Sequence, residues 1–339
     1  MGRNLEDLFI FIGKRMLELL PVLLGIIVLT FLVTHVAAID PCPRWYPKAS
    51  QAVLAHCQAQ FAAPLWVQFW NYFTALLQGN WGASQLGVPV FPVIASAVPA
   101  TLELVLASMF LMVVIGIPLG VIAAQFSGRW GDHLVRILYL SGWSVPTYVG
   151  SVIAAVFLAP VLGLPTSGEY SAPPPFPQYT HMSVIDAIIA GNFAYTIDAI
   201  NHLILPAGVL AFINMGIATR MTRATMLEVL PLDYVKAARM KGLSNFVVLY
   251  KHALRNALIA TVTVLGLTAG GLLAGTVVIE EVFAWPGIGA YAFAALGGGG
   301  QPNFDGAIAV TIVFAIGVVI ANLISDILYG VLDPRVEWR

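Results

Sequence analysis

Asp233–Asn256 reads DYVKAARMKGLSNFVVLYKHALRN and lies between two long apolar runs. It carries five of the sixteen Lys and Arg residues of the chain: Lys236, Arg239, Lys241, Lys251 and Arg255. Charges at this density are too costly for hydrocarbon, so the stretch is a water-exposed connection between two membrane spans. Its own pattern is helical. Ala237 and Ala238 favour helix, Gly242 breaks the run, and Ser244 is placed to cap a second helix through Tyr250 and Leu254. The expectation is two short helices hinged at a glycine, a compact knob suited to docking into another protein.

The chain around this knob is 59% hydrophobic and 10% charged over 339 residues, whereas soluble domains carry roughly 25% charged residues. The fold class is therefore all-α, a polytopic membrane protein. Apolar runs at 16–39, 99–125, 135–162, 202–219, 257–279 and 306–330 give six transmembrane helices, at about 20 residues per hydrocarbon core. The first run exceeds the roughly 7–15 residues of a signal-peptide core and is read as a span, not a cleaved leader. Residues 1–15 form a lead-in helix and 40–98 an outer segment. Residues 99–332 are a five-helix core with the knob at 233–256, and 333–339 a tail. Within the outer segment, Leu65–Leu77 has apolar and aromatic residues at helical spacing, which suits a helix lying in the interface; its tryptophans are anchors there or substrate contacts. Fourteen of the sixteen Lys and Arg residues fall on one side of the six spans, and only Arg44 and Lys48 on the other. That bias makes both termini, the 126–134 turn and the knob cytoplasmic, and turns 40–98, 163–201 and 280–305 outward.

Lys236-Ala237-Ala238, followed after three residues by Gly242, resembles the EAA loop of ABC-importer permeases. The wider run RMTRATMLEVLPLDYVKAARMKGL, with HALRNAL after it, is similar to the dipeptide/oligopeptide/nickel permease branch. Lys236 stands where the general motif has glutamate, and Arg255 where it has proline. Further marks follow in order: Gly79-Asn80-Trp81-Gly82-Ala83-Ser84, Ala100-Thr101-Leu102-Glu103-Leu104, Gly116-Ile117-Pro118-Leu119-Gly120, Leu164-Pro165-Thr166-Ser167-Gly168, Glu281-Val282-Phe283-Ala284-Trp285-Pro286-Gly287-Ile288-Gly289 and Leu332-Asp333-Pro334-Arg335. Asn80 departs from the family's aspartate, and the 40–63 segment and the flexible Gly297–Gly300 run fit it less well.

The resemblance implies a permease subunit in a prokaryotic plasma membrane. It would pair with a second homologous permease, two ATPase subunits that bring ATP and Mg, and an extracytoplasmic substrate-binding protein. Membrane lipid surrounds it, and nucleic acid has no part. The cargo expected is peptide, with nickel complexes and oligosaccharides as the other cargoes of the family. The ATPase-docking residues would be Tyr234, Val235, Lys236, Ala237, Ala238, Gly242, Leu243 and Val247.

Chemistry on a substrate is not expected. Gly13-Lys14 lacks the glycine loop of a nucleotide-binding motif, there is no HExxH or CxxC, and the six histidines are scattered. An ion-coupled transporter would keep ionisable groups or broken helices at mid-membrane, whereas here the charges lie mainly near the ends of the spans. Four glycines, Gly266, Gly270, Gly271 and Gly275, form two small-xxx-small pairs that permit close helix packing, inside this subunit or against a partner permease. Glu103 reads as a first-turn residue or a path-lining group, Asp326 as structural, and Trp285 as part of an entrance-shaping turn or an anchor. Cys42 and Cys57, the two cysteines, are a disulfide or two thiols.

Overall fold

The computed structural model describes residues 5–35, 42, 51–83, 88–298 and 303–332. The expected tail 333–339, the cations Arg3, Arg44, Lys48, Arg335 and Arg339, and part of the Gly297–Gly300 run lie outside the described residues.

The described chain is helical, with one isolated bridge between Ala83 and Pro89. The long helices are α1 (Leu5–His35), α4 (Val90–Gln125), α8 (Phe193–Val229), α10 (Val247–Val282) and α12 (Phe304–Leu332). Shorter ones are α2 (Gln51–Phe61), α3 (Leu65–Leu77), α5 (Trp130–Ser144), α6 (Thr147–Leu162), α7 (Ser183–Ile189), α9 (Asp233–Met240) and α11 (Ile288–Ala295). Among the described residues five helices are long and apolar enough to cross a membrane, and α5 with α6, bent by 105°, makes a sixth if the pair is counted as one span.

Several expected boundaries move. The lead-in helix and first span are one helix, because Pro21 leaves α1 unbroken. The helix that contains the second span starts at Val90, not residue 99, so 90–98 is helical and continuous with that span. The third span is not straight: Val145 is extended (ψ 122°) ahead of Pro146, as the ring of a following proline demands. The fourth span is a 37-residue helix. α3 has the bounds its spacing predicts, and it leans on α1 through Phe31 and Phe69, whose rings lie 5.2 Å apart.

α8 is the central post. Its buried face runs through Leu205, Leu210, Met215, Ala218 and Thr222, and α4, α5 and α10 pack around it. Close approach is set by residues without side chains. A Cβ on Gly120 would lie 2.7 Å from the Thr219 carbonyl oxygen, and one on Gly142 would strike that of Phe212. At one end, the fully buried Asp132 carboxylate accepts hydrogen bonds from Arg223 of α8, from Arg136, and from the Gly128 N–H in the turn before α5. At the other end, Glu280 of α10 accepts from the Thr101 hydroxyl of α4 at 2.7 Å and from the Ala290 N–H of α11 at 2.9 Å.

Candidate docking site

The basic stretch forms the end of the bundle that carries Asp132. α9 is amphipathic over its eight residues. Val235, 0% exposed, and Ala238 face inward onto Val121 of α4, Met226 of α8 and Val248, Leu249 and Leu254 of α10. The helix then closes in a left-handed cap. Gly242 sits at φ +75° and its N–H donates to the Arg239 carbonyl at 3.0 Å, a conformation that glycine adopts without the strain a Cβ brings. The chain re-enters helix at once. Val247–Ala253 is wound as a π-helix and runs directly into the fifth span. The expected second short helix is thus the base of α10, not a separate unit. A 2.7 Å hydrogen bond from the Asn256 amide to the Tyr234 hydroxyl ties α9 to that base.

Of the residues expected to dock, Tyr234, Lys236, Gly242 and Leu243 are exposed and Ala237 and Val247 half-buried. Val235 and Ala238 are inside, where they anchor α9 to the bundle and are out of reach of another protein. Two large apolar residues that sequence reasoning passed over stand outside instead: Met240, 82% exposed, and Phe246, 68% exposed, its ring stacked on Tyr250 at 4.6 Å. Their signal was present as bulky apolar residues amid Lys236, Arg239, Lys241 and Lys251. The π-winding of 247–253 shifts the helical period and hid which neighbours turn inward. Apolar side chains of this size, ringed by cations in a segment too charged for lipid, are the usual mark of a protein contact.

The four glycines divide. A Cβ on Gly266 would come within 2.9 Å of the Ser325 side chain, and one on Gly270 would touch Val318 and Ala321, so this pair packs α10 on α12 inside the subunit. Gly275 neighbours Leu210 of α8, while Gly271 meets nothing and is exposed. With Leu267, Ala274 and Val278, all exposed, Gly271 makes an unpartnered stripe on α10.

The outer residues take structural parts. Glu103, expected in a first turn or on a path, lies thirteen residues into α4 and is buried. Its carboxylate accepts from the Ser183 and Val184 N–H groups at 2.7 and 2.9 Å, capping α7. Trp285, expected at an entrance or an interface, is 1% exposed and donates to the Ala100 carbonyl at 2.9 Å. In the 163–182 loop, burial first, then the negative charges of Glu103 and Asp186, raises the Glu169 carboxyl from 4.5 to about 8. Asp326 pairs with Arg15 of α1 at 3.4 Å. Cys42 is buried and disulfide-bonded. No group of three or more His, Cys, Asp or Glu residues suited to a metal ion occurs among the described residues.

Residues 116–338 match the family described as binding-protein-dependent transport system inner membrane component. The chain belongs to that family. It is a multi-pass membrane component of a transport system, and the family is not an enzyme class. Among its curated relatives, the "Probable D,D-dipeptide transport system permease protein DdpB" of Escherichia coli K12 is 38% identical over 95% of this chain and 96% of the relative. The dipeptide transport system permease protein DppB of Alkalihalophilus pseudofirmus is 37% identical over 96% and 98%. The oligopeptide transport system permease protein AppB of Bacillus subtilis is 35% identical over 97% and 99%. In fold, this family member is similar to a chain of the MetNI methionine ABC transporter solved in inward-facing conformations. The TM-score is 0.52 at 19% identity, over 71% of this chain and 96% of that one.

Proposed function

We propose that this chain is the peptide-conducting permease subunit of an ATP-driven importer. The observation that carries the coupling part of this reading is the knob. Met240, Leu243 and Phe246 stand exposed among cations, on a platform locked to α4, α8 and α10 by Val235 and Ala238. An ATPase subunit seated there, using its own ATP and Mg, would move α9 and the base of α10 together. The change would reach the outer end, where Glu280 grips Thr101 and α11. Peptide is supported as the cargo by the names of the three relatives, each 35% or more identical along almost its whole length. A second permease subunit would lie against the exposed stripe of Leu267, Gly271, Ala274 and Val278, and a binding protein would deliver cargo at the outer loops.

The bent span does not favour ion coupling. Ser141–Ile153, which contains the break at Pro146, has no acidic or basic side chain to hold a coupling ion. The test is reconstitution of the co-purified complex in vesicles with its binding protein. ATP-dependent uptake of labelled di- and oligopeptides, unaffected by nickel complexes or oligosaccharides, is the expected result. ATP-dependent uptake of either of those, with no peptide uptake, would overturn the choice of cargo. Uptake without ATP would overturn the class.

A further inference from the structure

The chain from 163 to 201 contains Glu169, Asp186 and Asp198 and neither lysine nor arginine. Asp198 is satisfied close by: its two oxygens accept from the N–H and the hydroxyl of Ser171, both at 2.7 Å, and His202 lies 3.5 Å away. Both oxygens of Glu103 are taken up by Ser183 and Val184 of α7. Glu169 and Asp186 are left incomplete. Oδ1 of Asp186 accepts from the N–H and the hydroxyl of Thr180, both at 2.9 Å, and so pins the end of the loop to α7. Its Oδ2 has no hydrogen-bond partner, in a residue only 1% exposed. Oε1 of Glu169 is buried and unpartnered as well, although the residue as a whole is half-buried and borders solvent. The two carboxyl groups feel each other, since the charge of Asp186, after burial and the charge of Glu103, helps to raise the Glu169 carboxyl to about 8.

Two buried acceptors without donors are costly, and more so when they carry charge. What completes them must donate hydrogen bonds and bring positive charge. A divalent metal does not suit, because Ca²⁺ takes about six to eight oxygens and Mg²⁺ about six, while two are free here. Water would donate to both oxygens but leave the charges unbalanced. A guanidinium spreads its donors over a planar fork that matches the two oxygens of one carboxylate, whereas the free oxygens belong to two. A primary ammonium is compact, fully charged and carries three donors on one atom. It can give one to each free oxygen and keep the third for the solvent beside Glu169.

We propose that Glu169 and Asp186 form a binding site for a primary ammonium group at the outer mouth of the permease, with Glu169 Oε1 and Asp186 Oδ2 as its acceptors. Once occupied, the site ties the 163–182 loop to α7 through a charge supplied by the ligand. Two sources offer this chemistry at the outer face: the N-terminal ammonium of a peptide, and a lysine of the binding protein that delivers it. Only the first rests on peptide as the cargo.

The test follows hydrogen exchange of the amides in 170–189 in the assembled transporter, in nanodiscs without ATP. Methylammonium chloride is compared with tetramethylammonium chloride, which has the same charge and no donors. Methylammonium at about twice its dissociation constant should slow exchange about threefold, and tetramethylammonium should leave it unchanged. Glu169→Gln should abolish the difference between the two salts, a readout that a general change in loop stability does not mimic. Equal effects of the two salts would overturn the proposal, as would a difference that survives Glu169→Gln. If that variant fails to assemble, the two salts on the unsubstituted complex decide alone. Protection by dialanine and not by N-acetyl-dialanine assigns the ammonium to the peptide. Protection by the peptide-free binding protein, lost when its lysines are acetylated, assigns it to that protein. Because methylammonium is not the cargo, its failure to protect refutes the site whatever the transporter carries, and the uptake assay in vesicles judges the cargo independently.

Discussion

Asp132 and Arg223, ninety-one residues apart in sequence, meet through two parallel hydrogen bonds of 2.8 Å, with the carboxylate wholly buried. Arg136 approaches the same carboxylate from one turn further along α5. Replacing Asp132 by asparagine leaves two guanidinium groups without their anion, a loss of about 3 kcal/mol for a buried pair. Thermal unfolding in detergent should show Asp132→Asn well below the parent. A double-mutant cycle with Arg223→Gln should show non-additivity on the order of 1 kcal/mol or more. Additive effects would mean that the two side chains stabilise the bundle independently.

Gly242 has open space around it, so a larger residue there meets strain and not a clash. Holding an L-residue in its left-handed conformation costs about 1–2 kcal/mol. Gly242→Leu should therefore insert and assemble normally but reset the angle between α9 and α10. ATP hydrolysis in reconstituted vesicles should persist while peptide uptake falls. Parental uptake would count heavily against transmission through this corner.

Phe246→Ser and Met240→Ser remove exposed apolar surface without touching the packing beneath α9. Each is expected to weaken association with the ATPase subunit about tenfold, or about 1.4 kcal/mol, as for an interface residue that carries binding energy, with no change in melting temperature. Val235→Ser should do the opposite, lowering the melting temperature first. Binding measured by surface plasmon resonance on nanodiscs separates the two.

Gly271→Leu and Gly266→Leu distinguish the two kinds of helix contact on α10. The former projects into open space and should leave this subunit stable while blocking assembly with a partner permease. The latter collides with Ser325 and should destabilise the subunit itself. Size-exclusion chromatography with a co-expressed partner reads both outcomes.

Glu169 gives the outer loop a pH dependence. Its carboxyl titrates near 4.5 in the unfolded chain and near 8 in place, so between those values the folded loop holds a proton that the unfolded one has lost. Loop stability should therefore fall as pH rises from about 4.5 to 8 and level off above. Hydrogen exchange of backbone amides in 164–182 should speed up over that window, and Glu169→Gln should flatten the response.

The spans and their order were legible because hydropathy over twenty residues averages out local detail, and α3 because its aromatic spacing is regular. Boundaries at prolines were not. Pro99, Pro118 and Pro206 all lie inside helices of the bundle while Pro146 breaks one, and nothing local to those four residues distinguishes them. Ahead of Pro118 the backbone takes up a π-wound turn, Met112–Gly116, an adjustment of winding that the sequence does not announce. The basic stretch was legible by its charges as an exposed end of the bundle, but its inward face was not, since Val235 and Ala238 are small apolar residues that suit a contact with either the bundle or a partner. Asp132 was missed because its two arginines arrive from different helices, a relation visible only once α8 stands beside α5.

α10 continues without interruption from the π-wound turn at Val247 to Val282, a shaft about 54 Å long at ~1.5 Å per residue. A swing of its foot by only five degrees, about some point at its base, carries its head sideways by roughly 5 Å by the same geometry. Val282 is followed within three residues by Trp285, clamped to Ala100. On the proposed coupling, α10 would work as a long-handled latch: a small stroke where nucleotide is spent would become a stroke wide enough, at the far mouth, to let a peptide backbone pass.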